Sequence, residues 1–86
     1  MPEVSRFYGI VIRMYFADHP PPHFHAEYGE YEALVSIDEP WIIAGELPSR
    51  AFSLVRDWAS LHREELMSVW EEARQQRPLS RIAPLD

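Results

Sequence analysis

The sequence predicts an α+β fold in which a small antiparallel sheet of three to four strands packs against one long C-terminal helix. Three observations carry that expectation. Large apolar residues alternate with others from Phe7 to Phe16, two strand-like runs flank the pair Gly29-Glu30, and no Gly or Pro interrupts the chain from Ser49 to Arg77. At 86 residues the chain makes one domain, 1–86, with one modest core.

In the first run the even positions Tyr8, Ile10, Ile12, Met14 and Phe16 are large and apolar, whereas Gly9, Val11, Arg13 and Tyr15 alternate with them. Period two over this length argues a strand with its even face buried. Phe24 to Tyr28 and Tyr31 to Ile37 then flank Gly29-Glu30, a Gly-X pair suited to a two-residue type II′ turn. Such a turn fixes the register. It pairs Tyr28 with Tyr31, Ala26 with Ala33 and Phe24 with Val35 on an apolar face, and Glu27 with Glu32, His25 with Leu34 and His23 with Ser36 on the other. A turn at Asp38-Glu39-Pro40 leads into Trp41-Ile42-Ile43-Ala44, a fourth short strand ending at Gly45.

The second half has helical periodicity. Pro48 and Ser49 suit a helix start, and steps of about 100° place Ala51, Leu54, Val55, Trp58, Leu66 and Val69 on one stripe, with Arg56, Arg63, Glu64 and Arg74 facing away. Unbroken, this helix would run about 40 Å, longer than a small domain is wide, so its far end must project, bend or meet another chain. An exposed Trp70 there would favour a partner. Arg77 to Asp86 returns as a docked tail through Leu79, Ile82 and Leu85.

Composition narrows the function classes. An apolar fraction of 47% with 13% aromatics is too high for a disordered chain. No apolar run reaches the roughly 18 residues of a bilayer span, and the N-terminus lacks a signal-peptide pattern, so a cytoplasmic protein with no membrane association is expected. The absence of cysteine removes disulfide and thiolate chemistry, leaving His, Asp and Glu as metal ligands and proton movers. A net charge of −6, with all eight cations arginines and no basic stripe, argues against autonomous nucleic-acid binding and suits a basic protein partner.

The densest chemistry lies in Asp18-His19-Pro20-Pro21-Pro22-His23-Phe24-His25, which holds three of the four histidines and three of the eight prolines. His23 and His25 are one residue apart, so on a strand both imidazoles share a face and can share an ion. By the hairpin register that face also carries Glu27 and Glu32, and two carboxylates opposite each other call for a cation between them, from Arg13 on the neighbouring strand or from a bound metal. The proline run restricts the unfolded chain and can hold Asp18 and His19 near the strand entrance. Against this stands a plain alternative, a proline-rich loop with exposed histidines that only orders a sheet edge. His62 lies on the helical apolar stripe with Glu65 one turn on; it reads first as a core histidine satisfied by Glu65 and only second as an addition to the site. No serine has a nucleophile-elbow context and no glycine loop is suited to phosphate.

Phe7-Tyr8-Gly9-Ile10, Met14-Tyr15, Asp18-His19, Pro21-Pro22-His23-Phe24-His25, Gly45-Glu46-Leu47-Pro48-x-Arg50, Trp58, His62, Glu65-Leu66 and Trp70 together resemble the bacterial and archaeal domain-of-unknown-function 4160 family. The resemblance covers nearly the whole chain, and Pro-Pro-His-Phe-His is its most specific part. It implies a fold and a partner, since such proteins are often encoded beside a second small protein of the 2442 family in a toxin-antitoxin-like pair. One departure is Val69, where the family commonly has asparagine.

Two readings follow. The first is a partner-binding component of a toxin-antitoxin-like two-gene cassette, using the far helix and Trp70 against a 2442-family protein encoded nearby or against a second copy of itself. The second is a small metal-dependent hydrolase, a phosphodiesterase or ribonuclease, with a divalent ion on Asp18, His23 and His25, His19 or Glu27 moving the proton, and Arg13 or Arg50 stabilising phosphate charge.

Overall fold

In the computed structural model, which describes residues 3–86, five strands follow one another as β1 (Glu3–Phe7), β2 (Ile10–Arg13), β3 (His23–Tyr28), β4 (Tyr31–Ser36) and β5 (Ile42–Gly45). They form a single antiparallel meander in chain order. Two helices complete the chain, α1 (Ser49–Leu61) and α2 (Arg63–Arg74). The α+β class is as the sequence predicts, but the architecture differs twice from the expected three to four strands and one long helix.

The first difference is at Tyr8-Gly9. Both residues take positive φ, 50° and 80°, the requirement of a tight hairpin turn that matches strand twist. Phe7 and Ile10 become partners across it. The expected Phe7–Phe16 strand is therefore the end of one strand and the whole of the next, and the buried parity switches from Phe7 to the even residues Ile10, Ile12 and Met14. Tyr8 and Phe16, at the ends of the run, are exposed. The outer edge of β1 is covered by the C-terminal tail, where the Ile82 N–H donates to the Val4 carbonyl at 2.9 Å.

The second difference is at His62, whose backbone (φ −118°, ψ 26°) leaves the helical path. Its N–H still reaches the carbonyls of Trp58 and Ala59, and its own carbonyl accepts from the Leu66 N–H, so the bend leaves these groups paired. A straight helix from Ser49 to Arg74 would measure about 39 Å, whereas the longest dimension of the molecule is 33 Å. The bend returns the apolar residues of α2 to the core. Glu64 and Glu65 occupy the first turn of α2, where acidic side chains favour a helix start.

Trp70 is consequently buried, 3% exposed, not displayed at a projecting end. Neither the excess helix length nor an exposed Trp70 remains as a reason to expect a partner there. Trp58 fills the centre of the core, packing on Phe7 and Phe24 at ring distances of 5.3 and 5.8 Å. Its indole N–H donates to the Ala83 carbonyl at 2.8 Å, which docks the tail, and Leu79, Ile82 and Leu85 join the core as expected. Among the described residues, no helix is long and apolar enough to cross a membrane.

Candidate metal centre

The β3–β4 hairpin has the predicted register in all six pairs, from His23 with Ser36 to Tyr28 with Tyr31. Phe24 and Ala26 accordingly enter the core, and His23 and His25 fall on the opposite face. The approach to β3 is held at several points. Ala17 sits in the left-handed region (φ 55°), a conformation that costs a non-glycine residue roughly 1–2 kcal/mol, and its N–H donates to the Ala73 carbonyl on α2 at 3.2 Å. The prolines lack donors but offer carbonyls. That of Pro22 accepts from the Ile37 N–H at 3.1 Å, extending the hairpin ladder.

The Pro21 carbonyl accepts from His23 Nδ1 at 2.8 Å. Because a carbonyl only accepts, the proton is on Nδ1 and Nε2 is directed elsewhere. It meets Asp18 Oδ2 at 3.0 Å. His25 is arranged in parallel: Nδ1 donates to Glu32 Oε2 at 3.1 Å, and Nε2 faces the same Asp18 Oδ2 at 3.3 Å. Two imidazole Nε2 atoms and one carboxylate oxygen thus converge on one point, and one ligand atom from each of Asp18, His23 and His25 lies within 4.8 Å of the others. These three residues are close enough to hold a single divalent ion.

His23 is the deepest of the three, 5% exposed, and its ring packs on Trp70 at 5.3 Å. His25 receives the ring of Tyr15 edge-on at 4.4 Å. Burial works to raise the Asp18 carboxyl, but the His19 backbone N–H and the facing His25 and His23 rings outweigh it and hold the group below its usual range. Burial, followed by the charges of Glu27 and Glu32, pushes the Tyr15 phenol up, so it stays protonated at neutral pH.

The other residues singled out by sequence distribute unevenly. Glu27 stands opposite Glu32, and the expected cation is Arg13, whose Nε reaches Glu27 Oε1 at 3.2 Å. His19 is exposed, and its backbone N–H donates to Asp18 Oδ1 at 2.9 Å. Arg50 lies elsewhere, with Tyr8, Tyr28 and Leu54 around a separate groove. Tyr28 and His23 occupy opposite ends of β3, roughly 16 Å apart at about 3.3 Å per residue. His62 is outside the three-residue cluster; its Nδ1 pairs with Glu65 Oε1 and its ring packs on Trp58, as a satisfied core-edge histidine does.

Tyr15, Glu32 and Trp70 were not among the sequence-based site residues. For Tyr15 a signal existed, because it shares the parity of Arg13, which pairs with His25. Glu32 was legible as a neighbour on the right face but not as the acceptor for His25. Trp70 carried no local signal, since its approach to His23 depends on the bend at His62.

Asp18 also opens onto a cleft of about 560 Å3 between the β2–β3 loop and α2, with Pro20 and Pro22 on one wall and Trp70, Glu71 and Arg74 on the other. The family model described as Domain of unknown function (DUF4160) matches residues 9–71, and the chain belongs to that family. No curated protein and no solved structure matches the chain.

Proposed function

We propose that this member of the DUF4160 family is a metal-dependent hydrolase whose divalent ion is held by Asp18, His23 and His25. The supporting observation is the convergence of both histidine Nε2 atoms on Asp18 Oδ2 while both Nδ1 positions are already occupied, by the Pro21 carbonyl and by Glu32. Metal-binding histidines characteristically donate their second N–H to a carbonyl or carboxylate, which fixes tautomer and ring orientation.

Two imidazoles and a carboxylate suit zinc, manganese or nickel. Three protein ligands are the usual complement of a catalytic site, with further positions left for substrate. A divalent ion there would supply Lewis-acid chemistry for hydrolysis. Asp18 would contribute the charge, and the buried His23, packed on Trp70, the rigidity. His19, exposed and adjacent to Asp18 in the chain, is the group we assign to proton transfer, because Glu27 is engaged by Arg13.

The test is the metal content of untagged protein purified without chelator, beside the His23→Ala/His25→Ala double variant. Near-stoichiometric zinc, manganese or nickel in the wild type and loss of it in the variant is the expected result. Protein that carries no metal and takes up none of the three added ions would overturn the reading.

A further inference from the structure

The cleft beside Asp18 has a cation in its wall that belongs to neither the ligand set nor the sequence-based candidates. We infer that Arg74 forms a phosphoryl-binding subsite next to the metal centre, so that the substrate group is an anionic phosphate ester; this rests on the metal reading above. Three observations bring Arg74 to that role.

Its position is set by the backbone. The Ala17 N–H to Ala73 carbonyl hydrogen bond at 3.2 Å joins the β2–β3 loop to the last turn of α2. Asp18 and Arg74 are each the next residue along, and both line the same cleft. Its guanidinium is not locked in a strong pair. Arg74 Nε lies 3.4 Å from Glu71 Oε2, and both side chains are exposed. Such an exposed pair is weak. The approach to Glu71 is made by Nε, and the guanidinium's two terminal nitrogens form the planar fork that matches two oxygens of a phosphate.

The charge of the centre completes the case. With neutral His23 and His25 and one Asp18 carboxylate, a bound divalent ion would keep a net positive charge beside Asp18, which lines the cleft together with Arg74 and with the Glu71 carboxylate that pairs with it. One phosphate oxygen on the ion and two on the Arg74 fork would be held by three separate contacts. The arginines considered from sequence cannot provide this: Arg13 is directed at Glu27 and Arg50 borders the distant groove.

The experiment is calorimetric titration of zinc-loaded protein with inorganic phosphate, comparing wild type with Arg74→Gln and Arg74→Lys, and with acetate as a second titrant. Zinc affinity is measured first for each protein. The expected result is equal zinc affinity in all three, a ten- to hundredfold loss of phosphate affinity in Arg74→Gln, and incomplete rescue by Arg74→Lys, which keeps charge but not the fork. Unchanged phosphate affinity in zinc-loaded Arg74→Gln would overturn the subsite and leave the metal centre standing. Acetate bound as tightly as phosphate, with the same dependence on Arg74, would overturn the phosphoryl assignment in favour of a carboxylate. Failure of the wild type to bind zinc, manganese or nickel would overturn the metal reading and this inference with it.

Discussion

Glu32 supplies no ligand atom to the cluster, yet its Oε2 accepts from His25 Nδ1 at 3.1 Å and so decides which nitrogen of that ring faces Asp18. Replacing it with glutamine keeps the size of the side chain and removes the charge. Glu32→Gln is expected to weaken zinc binding about ten- to hundredfold, the usual range for a partner behind a metal ligand, with little change in the stability of the metal-free protein. Competition against a chromophoric chelator measures the first, and a urea melt the second; equal zinc affinity in variant and wild type would remove Glu32 from the site. Behind Glu32 stands Gly45. An added Cβ at Gly45 would lie 2.2 Å from the Glu32 carbonyl oxygen, and its φ of 79° already disfavours a side chain. Gly45→Ala should destabilise the fold by roughly 2–4 kcal/mol through overpacking and left-handed strain combined. A midpoint in urea equal to that of wild type would show that β4 and β5 part more easily than this close approach implies.

At the scale of elements, the tail is attached to α2 by one carboxylate. Glu72 Oε1 accepts from the Ser80 N–H and Oε2 from the Ser80 hydroxyl, both at 2.9 Å. The Ser80 backbone N–H is the larger cause and the hydroxyl the next; together they hold the Glu72 carboxyl below its ordinary value of 4.5 despite some burial. A depressed folded-state value means that the ionised form stabilises the fold above the unfolded value. That contribution is lost as pH falls through the folded value. The stability gap between wild type and Glu72→Gln should therefore be constant above about pH 5 and close progressively below 4.5. Denaturant titrations at several pH values measure it, and a gap that widens toward acid would contradict the assignment. The break at His62 belongs to this scale as well. It has no Gly or Pro to announce it, and α1 and α2 each keep their apolar stripe across it.

Over the whole molecule, the centre links parts remote in sequence: Asp18 from a loop fixed to α2, His23 and His25 from β3, and Trp70 packed against His23. An ion that binds only when these are assembled stabilises the native state by mass action, by about 2.7 kcal/mol at a free concentration one hundred times the dissociation constant. For a domain of this size that corresponds to a rise in Tm of roughly 10–20 °C. Wild type with saturating zinc should show it, and Asp18→Asn, which preserves side-chain shape but removes the charge, should lose most of it. Thermal melts with and without zinc decide the matter, and an equal rise in both proteins would place the ion elsewhere.

The hairpin from His23 to Ser36 was legible from sequence to the level of individual pairs, because a two-residue turn and a period-two pattern are local and reinforce each other. The same locality placed His23, His25, Glu27 and Glu32 on one face and the tail on the core. The split of Phe7–Phe16 into two strands was marked only by Gly9, a weak signal, because the alternation runs on through the turn and Tyr8 takes the left-handed conformation that tyrosine rarely adopts. Nor was the course of the C-terminal half. Its periodicity permits a straight helix or a bent one, and only the burial of Leu66, Val69 and Trp70 against a sheet already in place selects the bend. Which residue types can hold an ion, and which face they share, follows from local pattern alone. Their convergence on Asp18 Oδ2, and the Arg74 cleft beside them, were decided by tertiary structure, because both depend on where α2 returns after His62.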